Sequence, residues 1–317
     1  MMRASPSLRK YPLPLLALIA ALVLALPAAA APKVVVSIKP IHSLVAAVME
    51  GVGEPGLIVG GASSPHVYTL RPSDAERLAA ADIVFWIGPI FESFLAKPLA
   101  ALAGKAEIVE LDRVPEITLL PAREGGSWEA DADEHRHAHG HGGVLEEDGH
   151  LWLDPANARA IVQVAVLRLA ARDPGNAARY AANGAGLEQR LEVLDEVLRR
   201  RLAPLRGVPF VVFHDAYQYL ERRYGLDAIG SITVSPENRP GARRLEAIRD
   251  KIETLGARCV FSEPQFQPRL VQTLIAGTSA HTGVLDPEGV ALPAGPDLYV
   301  KLMHGLADAL TRCLEPP

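Results

Sequence analysis

Residues 176–203 read NAARYAANGAGLEQRLEVLDEVLRRRLA, and the pattern in this stretch decides how the rest of the chain is parsed. Leu187, Leu191, Leu194 and Leu198 recur three and four residues apart with charged residues between them, the signature of an amphipathic helix. A run of about 28 residues at 1.5 Å per residue extends about 42 Å, enough to bridge two lobes. Gly184 and Gly186 count against helix in its first turns.

On both sides of this stretch, short β-branched runs alternate with helical patterns. Upstream, strands are expected at Val34–Ser37, Leu57–Val59, Ile83–Ile87 and Ile108–Leu111. Between and after them lie helices at Ile41–Met49, Ser73–Ala80, Phe91–Leu102 and, opened by Asp154 and Pro155, as far as Arg172. Downstream, strands at Val208–Phe213, Ala228–Thr233, Cys259–Ser262 and Gly283–Leu285 alternate with helices at Ala216–Tyr224, Gly241–Leu255, Arg269–Gly277 and Leu298–Leu314. Alternation of this kind predicts an α/β fold with parallel sheets covered by helices. The expected organisation is an N-terminal lobe over 32–172, a bridging helix within 173–206 and a C-terminal lobe over 207–317.

Residues 1–31 are set apart. Arg3, Arg9 and Lys10 precede an apolar run of 15 residues, Leu13 to Pro27, and alanines at 28–31 offer a cleavage site, as in a secretory signal peptide. The run is short of the roughly 20 residues needed to cross a bilayer. No cysteine stands near the cleavage site to carry a lipid. Removal of the segment takes away three positive charges and no negative ones, so the net charge goes from −5 to −8. An acidic surface argues against nucleic acid as a partner and suits a protein that handles cations. The only cysteines are Cys259 and Cys313. In an exported chain such a pair is most simply a disulfide, with a free or metal-binding pair as the alternative. The closed loop of 54 residues would contribute about 4 kcal/mol in the chain-entropy model.

Half of the ten histidines fall in one tract, DEHRHAHGHGGVLEEDGHLWLDP, residues 133–155. It sits at the end of a stretch, 115–149, that has no hydrophobic periodicity and is expected to be a long surface loop, histidine-rich over 127–150. His135, His137, His139 and His141, alternating with Arg, Ala and Gly in a tract that also holds Asp and Glu, suit auxiliary capture of a borderline-soft divalent ion; a solvated loop without a ligand is the alternative. His150 differs, because the apolar LWLDP that follows ties it to a folded element.

In open parallel sheets ligands bind beyond the carboxyl ends of the strands. His66, His150, His214 and Asp286 all fall in such places, two in each expected lobe, so a cleft between lobes would collect them as metal ligands. Each has an ordinary alternative: a turn histidine for His66, a satisfied core group for His214, and a turn residue before Pro287 for Asp286.

Seven segments then carry a resemblance. They are SIKPIHSLVAAV (37–48), SPHVYTLRPSDAERLAAADIVFWIGP (64–89), HLWLDPANARAI (150–161), FHDAYQYLERRYGL (213–226), ENRPGARRLEAIRDKI (237–252), CVFSEPQFQP (259–268) and GVLDPEG (283–289). Together they resemble the solute-binding proteins of zinc and manganese ABC importers, and specifically the zinc branch, the periplasmic zinc-binding proteins of high-affinity zinc importers. The resemblance implies two (β/α) lobes bridged by a long helix, with the family's histidine ligands at His66, His150 and His214 and its acidic position at Asp286. It also implies a Cys259–Cys313 disulfide, Zn²⁺ as the bound and transported ion, and a membrane permease as partner of a periplasmic protein, here expected to be a monomer. Manganese and iron relatives tend to place a carboxylate where this chain has His214, whereas three imidazoles suit zinc. Some zinc-branch members carry a glutamate before the first histidine; here Pro65 stands there, which leaves the fourth position to Asp286 or water. Glu263 could stand behind the ligands or serve the fold. Three histidines and a water on zinc also describe a hydrolase, but no H-E-x-x-H occurs and the resemblance is to transport proteins, so no enzymatic activity is expected.

Overall fold

The computed structural model describes residues 31–61, 63–123, 147–233, 240–266 and 269–315. The expected signal peptide, apart from Ala31, and His135, His137, His139 and His141 lie outside the described residues.

Two four-stranded sheets form, each wholly parallel. In the first, β1 (Val34–Ile38), β2 (Gly56–Val59), β3 (Ile83–Trp86) and β4 (Glu107–Glu110) lie in the order β2-β1-β3-β4. The connecting helices are α1 (Lys39–Val48), α2 (Pro72–Ala80) and α3 (Ser93–Leu102). A two-stranded antiparallel ribbon follows, β5 (Leu120–Pro121) with β6 (Glu147–Asp148), pairing Leu120 with Asp148. Next come α4 (Pro155–Arg172) and the long α5 (Ala177–Leu202). The second sheet contains β7 (Pro209–His214), β8 (Asp227–Thr233), β9 (Cys259–Ser262) and β10 (His281–Val284) in the order β10-β9-β7-β8. Its helices are α6 (Gln218–Tyr224), α7 (Ala242–Thr254), α8 (Arg269–Ile275) and the closing α9 (Leu298–Leu314). Thus the α/β class and the order of the helices and parallel strands agree with the sequence reading, their ends differing by at most a few residues. The β5–β6 ribbon, with Leu120 and Asp148 buried, instead lies in the 115–149 stretch expected to be surface loop, its strands of two residues being too short to show a period.

Local chemistry sets those ends. Pro155 occupies the first turn of α4, where a missing N–H costs nothing, and the Asp154 carboxylate accepts from Ala156 N at 2.8 Å. Gly225 closes α6 with φ +72°, a left-handed cap that a residue with a Cβ adopts only under strain. As expected for the stretch as a whole, α5 runs unbroken, even through Gly184 and Gly186, which count against helix there. A Cβ at Gly184 would stand 2.4 Å from Val166 Cγ2, so this glycine is where α4 and α5 approach each other. Helix propensity is surrendered there for packing.

Alternate residues of β7 serve two apolar clusters, as the period of a strand requires. Phe210 and Val212 join one that also holds β1, β3, α1, α5 and α9. Val211 and Phe213 join another, beneath Ile248 and Ile252 of α7 and Val271 and Leu274 of α8. Because α9 packs on both α1 and α5, the first cluster runs without a break from one sheet to the other. The Cys259–Cys313 disulfide ties β9 to α9, in accord with the pairing expected from sequence.

A candidate metal centre at the strand ends

His214 is the last residue of β7, and His66 lies in a single 3-10 turn, Pro65–Val67, beyond β2. His150 follows β6 and leads into a second such turn, Leu151–Leu153. The three side chains meet: one nitrogen from each lies within 4.8 Å of the others, the only such group of three or more His, Cys, Asp or Glu among the described residues. Residues distant in sequence converge here because both parallel sheets point the carboxyl ends of their strands at the same place.

Orientation says more than proximity. His150 Nδ1–H donates to Asp148 Oδ1 at 2.7 Å, and the same oxygen accepts His150 N at 2.9 Å. His214 Nδ1–H donates to Glu263, with its two oxygens at 2.6 and 2.8 Å. A carboxylate accepts and does not donate, so both rings carry their proton on Nδ1 and present a bare Nε2. These two Nε2 atoms face each other at 3.2 Å. His66 Nε2 is likewise buried and has no hydrogen-bond partner. Two acceptor nitrogens and a third without a partner, all within 4.8 Å of one another and with carboxylates behind two of the rings, form a seat for a cation, and the carboxylate–imidazole–metal relay is a common way to fix ring and tautomer.

The electrostatics agree. Burial, then the positive charge that His214 and His150 would carry, holds His66 well below the usual histidine range. Burial, then His214 and Arg123, does the same for His150. For His214 burial works against protonation, but the Glu263 charge and hydrogen bond outweigh it and raise the pKa. Burial pushes Asp148 up to about 7, opposed by the His150 N–H and by Arg123. Two of the three imidazoles are therefore kept neutral and ready to donate a lone pair.

Aromatic rings wall the site. Phe91 lies edge-on to His66 at 4.8 Å, His150 at 5.0 Å and Trp152 at 5.1 Å between centroids. Trp152 Nε1 donates to Pro287 O at 2.8 Å, and its own carbonyl accepts Tyr299 Oη at 2.8 Å. These bonds fasten the His150 turn to the segment after β10. Lys39 Nζ fastens the same segment to β1 and α1, donating to the carbonyls of Gly289, Val290 and Leu292.

Asp286 is not part of the three-histidine group. Its carboxylate accepts from Glu288 N at 3.2 Å and Ala291 N at 3.4 Å, as in an Asx turn. Glu263 stands directly behind His214. Sequence reasoning missed Asp148 and Phe91. An acid two residues before His150 was the available signal for Asp148, since that spacing lets a carboxylate turn back on the ring; nothing in the sequence marked Phe91.

Paired parallel sheets with ligand-type side chains at the strand ends are the build of a two-lobed binding protein. A family model described as "Zinc-uptake complex component A periplasmic" matches residues 34–313, and the chain belongs to that family. The high-affinity zinc uptake system protein ZnuA of Brucella suis is 48% identical over 305 residues, covering 89% of this chain and 91% of its own. The protein of the same name from Paracoccus denitrificans is 38% identical over 308 residues, covering 92% and 94%. The solved periplasmic zinc binding protein TroA of Treponema pallidum shares the fold, with a TM-score of 0.76 at 22% identity over 90% of this chain and 100% of that one.

A Cβ at Gly149 would stand 2.7 Å from Phe91 Cβ, so Gly149 is what lets Phe91 lie against the histidines. Gly149→Ala is expected to lower the unfolding free energy by about 1–3 kcal/mol, the usual cost of overpacking. Urea denaturation checks this; an unchanged midpoint would mean that the ring is not wedged there.

Proposed function

We propose that the protein binds one Zn²⁺ through Nε2 of His66, His150 and His214 and delivers it to the membrane permease of a zinc importer. The observation that carries the reading is the pair of Nε2 atoms facing each other at 3.2 Å with both Nδ1 atoms committed to carboxylates. Two lone pairs repel unless a proton or a metal cation lies between or beside them, and of these only a metal also engages the partnerless Nε2 of His66. Zinc accepts nitrogen ligands in tetrahedral sets, and manganese, a harder ion, prefers oxygen. The zinc uptake relatives support the same ion and the same use.

In this reading Asp286 or a water completes the coordination. The histidine-rich tract with His135, His137, His139 and His141 is an auxiliary capture site. The N-terminal segment is removed on export, and the mature chain, residues 32–172 and 207–317 forming lobes about the bridging helix, works in the periplasm as a monomer. Among the described residues no helix is long and apolar enough to cross a membrane. A binding protein is favoured over a zinc hydrolase because Glu263, the best-placed base, holds both oxygens on the His214 ring. Nucleic acid is not a partner in this reading, given the acidic net charge of −5.

The mature protein should bind one tight zinc equivalent that a His66→Ala, His150→Ala, His214→Ala variant lacks. Deleting 131–143 should remove only weaker equivalents. Titration against a competing chelator reads both, and equal tight binding by the triple variant would move the site elsewhere.

Protons compete with the ion at the same nitrogens. His66 and His150 are depressed and so are already neutral near pH 7, whereas His214 is raised and is the first of the three to take a proton as the pH falls. Affinity should therefore fall with pH by about one log unit per pH unit below the His214 pKa, one proton being displaced, and more steeply only at lower pH. Equal zinc affinity at pH 5 and pH 7.5 would contradict a three-histidine site.

A further inference from the structure

Arg123, two residues beyond β5, lies behind the histidines and joins the two halves of the site. Its Nε donates to both oxygens of Asp215, at 3.1 and 3.0 Å, and its Nη2 also donates to Asp215. Nη1 and Nη2 reach the two oxygens of Glu221 at 2.8 and 3.0 Å. Asp215 directly follows His214, and Glu221 is on α6. On the other side, β5 is paired with β6, which supplies the Asp148 that holds His150. Tyr219 repeats the link from α6: its hydroxyl donates to Asp148 O at 2.7 Å and accepts from Leu120 N at 3.1 Å. The ribbon carrying Asp148 and His150 is thus docked on the strand end carrying His214 by one guanidinium and one phenol.

We infer that Arg123 is a positioning residue for the metal site: by clamping the β5–β6 ribbon to Asp215 and Glu221 it sets the separation of the His150 and His214 nitrogens. Side-chain exposure of 19% for Arg123, 7% for Asp215 and 9% for Glu221 makes the cluster largely dry. Buried ion pairs of this kind contribute little net stability, because desolvation offsets the attraction. What a guanidinium adds is geometry, since its planar fork fixes two carboxylates at once where an ammonium acts as a point charge.

The inference rests on the zinc reading, so the test separates the two. Arg223 makes a comparable pairing with Asp195, 3.1 Å from Nε, and lies 3.6 Å from Asp154 at the start of α4; it joins α6 to α5 and α4 without touching a carboxylate that holds a histidine, and serves as control. Parent, Arg123→Ala, Arg123→Lys and Arg223→Ala are compared by zinc titration and by the visible absorption of Co²⁺ in the same site. A clamp predicts that Arg123→Ala weakens zinc on the order of 10- to 100-fold, as loss of a group supporting a ligand typically does, and changes the Co²⁺ bands. Arg123→Lys should be intermediate, and Arg223→Ala should match the parent in both readouts even if its melting temperature falls. If Arg123→Ala does not fold, Arg123→Lys decides alone. Zinc affinity and Co²⁺ bands in the Arg123 variants equal to those of the parent would overturn the clamp while leaving the zinc site standing. A parent that binds no zinc would sink the site and the clamp with it.

Discussion

Two imidazoles with unprotonated nitrogens 3.2 Å apart repel each other in a buried site, and much of the surrounding structure can be understood as what holds them there. Left free, either ring would flip to place an N–H against the other's lone pair. Asp148 and Glu263 prevent the flip by claiming Nδ1. Each carboxylate is itself buried, so removing its ring would leave a charge without compensation, and the cost of that locks ring and acid together.

The fold delivers these groups by simple means. His214 and Glu263 arrive at the ends of neighbouring strands β7 and β9, whose parallel pairing sets them side by side. His66 and His150 come from the other sheet and its ribbon, so the gap between sheets must be fixed to within the tolerance of a coordination bond. A continuous apolar cluster from β1 through α5 and α9 to β7 supplies that rigidity, and the Lys39, Trp152 and Tyr299 bonds add direction to it. Segments 147–153 and 286–299 are held by side chains more than a hundred residues away.

Much of this was legible in the sequence. Strands such as Phe210–Phe213 announce themselves because both faces of a parallel sheet are buried and every position is apolar. His66 and His214 could be picked out because each follows such a strand, and His150 because an apolar anchor, Leu151 to Leu153, follows it. Other features were illegible for physical reasons. The spacing of Leu302, Leu306 and Leu310 says that one face of α9 is buried but not that α1 and α5 cover it. Gly184 reads as a helix weakness until Val166 is seen opposite it. Arg123 sits in a stretch without periodicity, and its two carboxylates lie more than ninety residues away.

The central claim is that three imidazole nitrogens, and no sulfur, hold the ion. X-ray absorption at the zinc edge of the loaded protein tests it most directly. Three nitrogen scatterers with the outer-shell pattern of imidazole at about 2.0–2.1 Å, plus an oxygen, are what this arrangement requires. A sulfur shell at about 2.3 Å, or fewer than three imidazoles, would contradict it and point to Cys259 and Cys313 or to another part of the chain.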